Sequence, residues 1–174
     1  MQDLYAAIRD VPDFPKKGIV FKDITPLLRS GELFKKAIDK MAQYCTGKKI
    51  SCVAAIESRG FIFGSALAYK LGVGFVPIRK KGKLPYDKES VSYALEYGED
   101  TLEVHKDAFS AGDNVLIIDD LLATGGTLKA VCELVEKLNA KVSGIICLIE
   151  LAFLKGRDKI EDYPFECIIK INGE

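Results

Sequence analysis

Apolar residues change their spacing along this chain, and the changes mark its elements. Leu33, Phe34, Ala37, Ile38, Met41 and Cys45 recur three and four residues apart, which predicts an amphipathic helix; Leu4, Ile8 and Val11 predict a short one before it. Two prolines and a glycine in PDFPKKG break the pattern between them. Residues 52–56 suit a buried strand, 60–71 a helix and 73–78 another strand, a βαβ alternation. Residues 79–90 are polar, contain glycine and proline, and read as a flexible loop. Val91, Tyr93, Leu95 and Tyr97 then alternate with Ser92, Ala94 and Glu96, as in a half-exposed strand. Residues 115–118 read as a strand buried on both faces and 127–138 as a one-sided helix, with strands over 142–151 and 165–171 closing the order. The predicted class is α/β, a mostly parallel central sheet flanked by helices, whose ligands bind at the carboxyl ends of the strands.

The densest candidate chemistry lies at one such end, in VLIIDDLLATGGT. Ala123, Thr124, Gly125, Gly126 and Thr127 open the helix over 127–138. Unpaired N–H groups and the positive end of the helix dipole suit a phosphate there, and the two threonines add hydroxyls. Asp119 and Asp120 are acceptors, unsuited to phosphate but suited to the vicinal hydroxyls of a sugar or to a metal-bound ligand. Together they imply a sugar phosphate. A Walker loop is excluded, because Lys129 follows Thr127 by two residues, and no GxGxxG follows any strand. Helix capping by the acids and turn chemistry at the glycines would explain the same letters. Two acids, two threonines and two glycines within nine positions favour the functional account.

Glu57, Ser58, Arg59 and Gly60 place a second helix start at the same edge, and Arg59 brings a bidentate donor for phosphate oxygens. The alternative is a capping Ser58 with a solvated arginine. Arg79, Lys80, Lys81 and Lys83 put four cations within five positions, a run that also suits a solvated surface or nucleic-acid contact. Glu96 taken alone is a solvated strand residue. Phe21 offers either a ring face for stacking or core packing.

Composition narrows the class. Twenty-five basic and 25 acidic residues cancel, so no global field favours nucleic acid or an anionic membrane. The 48% hydrophobic content over 174 residues argues one folded domain, residues 1–174. The first residues carry no leader pattern and no apolar run is long enough for a membrane span, so a cytoplasmic protein is expected. Five cysteines without a CxxC pair fit a reducing compartment, and with His105 the only histidine no zinc site is expected.

The stretch over 115–127 resembles the 5-phosphoribosyl-1-pyrophosphate (PRPP) motif of the type I phosphoribosyltransferases. GIVFKDITPLL, AAIESRGFIFG, IRKKGKLP and SYALEYG, in that order, resemble the adenine-using branch of that family over nearly the whole chain. The resemblance implies the type I phosphoribosyltransferase fold, with a small N-terminal hood over about residues 1–30 and a flexible loop. It implies Mg²⁺-dependent transfer of 5-phosphoribosyl from PRPP to adenine, giving AMP and pyrophosphate, with the Mg²⁺ held mainly through PRPP near Asp119 and Asp120 rather than in a fixed protein site. Ser58, Arg59, Arg79, Lys80 and Lys83 would serve pyrophosphate; Val20, Phe21, Lys22 and Leu121 would serve adenine. Lys22 stands where many relatives carry arginine, and its contact is expected through the backbone. Glu96 would manage the proton at purine N7, Arg59 would act beside it on pyrophosphate, and Tyr97 would belong to the lid. A homodimer is implied, with PRPP and adenine as partners. Two other readings stand beside this one: transfer to xanthine or hypoxanthine, and a PRPP- or purine-sensing regulator without turnover. Such regulators usually carry a DNA-binding segment, and no helix-turn-helix pattern is present here.

Overall fold

The structure, a computed structural model, describes residues 2–94 and 98–173. At its centre lies β3 (Cys52–Ile56), buried at every position. It pairs in parallel with β4 (Gly74–Lys80) on one side and β7 (Asn114–Leu122) on the other. Beyond β7, β8 (Lys141–Leu151) and β9 (Phe165–Ile171) continue the parallel ladder. Strands covered on both faces need apolar side chains at successive positions, which is why these segments read as apolar runs.

The other edge departs from the sequence expectation. Arg79 and Lys80 extend β4 and pair with Glu103 and Leu102 of β6 (Glu99–His105), a strand the apolar pattern did not announce. β5 (Lys88–Ala94) pairs antiparallel with β6, giving the order β5-β6-β4-β3-β7-β8-β9. The loop expected over 79–90 therefore shrinks to a connection over 81–87. β5 is exposed or half-buried at every position but Val91 and so tolerates charge, which left its first residues, 88–90, looking like loop in sequence.

Two core layers cover the sheet. On one face lie α3 (Gly31–Tyr44) and α4 (Arg59–Leu71), burying Met41, Phe63 and Leu67. On the other, α5 (Gly126–Lys137) buries Leu128, Val131, Leu134 and Val135 against Ile117 and Ile145. The N-terminal segment also corrects the first helix, which ends after one turn as α1 (Gln2–Ala6). Val11 instead lies on β1 (Arg9–Pro12), paired with Phe21 of β2 (Val20–Asp23). Backbone partners supplied across that hairpin outweigh the helical spacing of Leu4, Ile8 and Val11. A short α2 (Thr25–Arg29) leads on to α3. Among the described residues no helix is long and apolar enough to cross a membrane.

Candidate active site

The carboxyl ends of β3, β4, β7 and β8 converge, and the candidate residues gather there. β7 runs two residues beyond the acidic pair, so Asp119 and Asp120 stand on the strand itself, Asp119 level with Cys147 of β8. Ala123 and Thr124 then turn into α5, with Gly125 at its N-cap position in a left-handed conformation, φ 80°, and no side chain capping the helix. The first-turn amides are therefore left for an anion. A side chain cannot replace this glycine: a Cβ on Gly125 would lie 2.3 Å from the carbonyl oxygen of Gly156. Thr127 Oγ1 donates to Tyr93 Oη at 3.3 Å, which brings the end of β5 over the loop.

α4 presents the second helix start. Ser58 occupies the N-cap position, but its side chain makes no capping hydrogen bond, so the capping alternative is not realised. Arg59 is not solvated either: its Nε lies 2.8 Å from Asp120 Oδ2, and its guanidinium sits 4.9 Å from the centre of the Phe21 ring. That ion pair is not aligned as a hydrogen bond, and among the described residues buried Asp120 Oδ2 has no donor. Asp119 Oδ1 accepts from the Asp120 backbone N–H at 2.8 Å. Gly60 lets the helix start approach this closely, since a Cβ there would lie 3.0 Å from both Asp119 Oδ1 and the Ile118 carbonyl.

Burial, and then repulsion from Asp120, raise the pKa of Asp119 well above its ordinary value of 3.8. Burial also raises that of Asp120, opposed by Arg59. Unfolded, Asp119 titrates near 3.8; folded, it keeps its proton to higher pH. The folded state thus binds more protons across that window, and stability falls as pH rises through it, then levels once both states are ionised. Asp119→Asn is expected to melt at a higher temperature than the parent chain at neutral pH and to lose part of this pH dependence. Thermal melts across the acid to neutral range check it; equal slopes in both proteins would refute it.

The basic run divides. Lys80 lines the cleft, with Nζ 3.1 Å from Asp100 Oδ2. Arg79 does not: it forks onto Glu57 at 3.2 and 3.3 Å and donates to the Lys83 carbonyl at 3.1 Å, holding the Glu57 carboxyl below its usual range. Lys83 is exposed on the connection and is likewise absent from the lining. Glu57, Ser58, Arg59, Lys80, Asp119, Asp120 and Thr127 share a cleft of about 540 Å³, joined by Tyr93 and Asp100, to which the sequence pattern gave no site role. An adjoining slot of about 320 Å³ contains Val20, Phe21, Lys22, Leu121 and Ala123, and adds Leu151, Phe153 and Leu154. Phe21 and Arg59 border both spaces. The buried Lys22 donates from Nζ to Asp10 Oδ1 at 2.7 Å, so its side chain serves the hairpin. Glu96 and Tyr97 lie outside the described residues. A wider opening of about 560 Å³ beside Arg9 and Arg29 lies elsewhere; there Ser30 Oγ already caps α3 through the Leu33 N–H.

Over residues 25–173 the chain matches the model of the phosphoribosyl transferase domain. The chain belongs to that family. It is 54% identical to an adenine phosphoribosyltransferase of Thermoanaerobacter sp. (strain X514), the match covering 98% of each chain. Among solved structures, the adenine phosphoribosyltransferase of Thermoanaerobacter pseudethanolicus superposes with a TM-score of 0.96 at 53% identity, over 98% of this chain and 99% of that one. The Saccharomyces cerevisiae adenine phosphoribosyltransferase, crystallised with an imino-altritol bisphosphate and adenine, gives a TM-score of 0.92 at 44% identity, over 96% of this chain and 97% of that one. The family match places the open helix start of α5 and the acidic pair inside a phosphoribosyl transferase domain.

Proposed function

We propose that this chain transfers the 5-phosphoribosyl group of PRPP to adenine, giving AMP and pyrophosphate in purine salvage. The carrying observation is that two uncapped helix starts border one cleft with the half-buried Asp119 and the buried Asp120, and an apolar slot adjoins it across Arg59. Residues 123–127 hold the 5-phosphate, Asp119 and Asp120 the ribose diol, and Ser58, Arg59 and Lys80 the pyrophosphate. Adenine enters the slot against Phe21 and Leu121, its edge read by the backbone of Val20 and Lys22. Relatives of more than half identity carry the name adenine phosphoribosyltransferase, which favours adenine over xanthine or hypoxanthine.

C1 of the ribose gains oxocarbenium character as pyrophosphate departs, and purine N9 attacks the opposite face, so no protein nucleophile is required. Positioning and fixed charge supply most of the acceleration. Glu96 manages the proton at N7, and Tyr97 belongs to the cover. Among the described residues no three carboxylate, cysteine or histidine side chains form a metal site. Asp120 Oδ2, whose one close cation among the described residues is Arg59, and the neighbouring Asp119 are the carboxylates that would face Mg²⁺ brought in on PRPP oxygens. The chemistry such an ion would supply beside Asp119 and Asp120 is neutralisation of charge developing on pyrophosphate. A homodimer is supported by the exposed apolar residues Ile62 and Tyr69 on α4 and Phe75 on β4, Tyr69 being 91% accessible in the single chain. In that dimer Arg79 and Lys83, held off this cleft, serve pyrophosphate across the interface.

Pyrophosphate release with PRPP, Mg²⁺ and each purine in turn tests the reading. Adenine is expected to exceed hypoxanthine and xanthine by about 10²-fold or more in kcat/KM. Faster release with another purine would reassign the base, and PRPP binding without release would favour a sensor.

A further inference from the structure

The segment that follows β8 touches both spaces of the site at once. Leu151, Phe153 and Leu154 form one wall of the apolar slot. Two residues later Gly156 packs backbone to backbone under the loop at the start of α5: a Cβ on it would lie 2.2 Å from the Ala123 carbonyl oxygen and 3.0 Å from the Gly125 nitrogen. Between them the chain reverses at Lys155, which has a left-handed φ of 52°. One stretch of six residues, 151–156, thus forms a wall of the base slot and a floor of the phosphate loop.

What fixes this stretch is the next residue. Arg157 donates from Nε to Glu150 Oε1 at 2.6 Å and from Nη2 to Oε2 at 2.8 Å. Its guanidinium also stacks 4.6 Å from the centre of the Phe165 ring. Glu150 is only 3% accessible near the end of β8 and accepts a further bond from Cys167 Sγ at 3.3 Å. Neither residue lines the cleft or the slot. A planar fork on a buried carboxylate fixes angle as well as distance, which a single ammonium contact does not.

We propose that Glu150 and Arg157 are positioning residues that hold the base slot and the phosphate loop in register, so that purine N9 meets ribose C1. The inference rests on the proposed reaction. Each half-site keeps its own ligand contacts when the fork is lost; what changes is their mutual placement. A ligand spanning both then loses affinity, whereas fragments occupying one do not. Misplacement of reacting groups by about 1 Å lowers rate by as much as about 10²-fold.

Arg157→Lys, which keeps the charge and removes the fork, tests this beside the parent chain. Calorimetry with AMP, adenine and ribose 5-phosphate is combined with steady-state kinetics and a thermal melt. Adenine and ribose 5-phosphate are expected to bind within about threefold of the parent, while AMP affinity and kcat fall about tenfold or more, with KM for PRPP and for adenine little changed. An AMP loss no larger than the fragment losses, or an unchanged kcat in the folded variant, overturns the proposal. Should Arg157→Lys fail to fold, Glu150→Gln is judged by the same ratios. Failure of the underlying reaction would show in the parent chain as no AMP formed, whereas failure of this inference shows only in the ratio of variant to parent.

Discussion

Glu96→Gln is expected to slow turnover by roughly 10² to 10⁴ while leaving PRPP binding nearly intact, as for the loss of a general acid or base. The chain enters this segment beside the phosphate loop, since a Cβ on Gly126 would lie 3.6 Å from the carbonyl oxygen of Ala94. It leaves it at Glu99, which pairs with Ala94 across the hairpin. A carboxylic acid that donates to or accepts from purine N7 gives the rate a titrating limb, and glutamine cannot titrate. The limb belonging to that carboxyl should flatten along with the fall in rate. Steady-state kinetics across pH check both effects together. Turnover within about threefold of the parent, far below the range for a catalytic acid or base, would leave positioning as the main source of catalysis.

Gly125→Ala is expected to lower kcat/KM for PRPP by about 10² while adenine binding is retained. Two costs coincide at this residue. Its φ of 80° is one that L side chains avoid, and its Cβ would meet the Gly156 carbonyl oxygen at 2.3 Å. Relief requires the loop to move, and the same loop sets the direction of the first amides of α5, the proposed 5-phosphate donors. An amide turned away from an oxyanion gives up a charge-assisted bond. Kinetics with varied PRPP and direct titration of adenine separate the two substrates. Equal loss for both would mean general unfolding rather than a displaced phosphate loop.

Much of this site was legible because the central strands are buried on both faces. Their apolar runs end abruptly, so Asp119, Asp120, Arg59 and the glycines of residues 123–127 stand out at the ends where a parallel sheet binds ligands. The edge was less legible. β5 buries only Val91 and β6 buries a charged residue, Glu103, between Leu102 and Val104, and the pairing of Arg79 and Lys80 with Glu103 and Leu102 makes the hairpin part of the sheet. Val11 kept a helical spacing that the β1–β2 hairpin overrode. The cation run identified Arg79 and Lys80 as a pair of like residues, yet Glu57 takes one and Asp100 the other, partners 22 and 20 residues away. Gly156 and Phe153 were least visible, because their importance lies in contacts made by the fold with Ala123 and the base slot rather than in any local pattern.

The pairing of those cations also governs which anions the cleft admits. Arg59 rests against Asp120 and Lys80 against Asp100, so an incoming anion must exchange with a carboxylate already in place instead of simply displacing water. A polyphosphate that carries its own divalent ion would bring both halves of the trade: oxygens for Arg59 and Lys80, and a metal for Asp120 and Asp100. In the proposed reaction the freeing of these two cations and the arrival of their ligand would be one event, with no steric gate required.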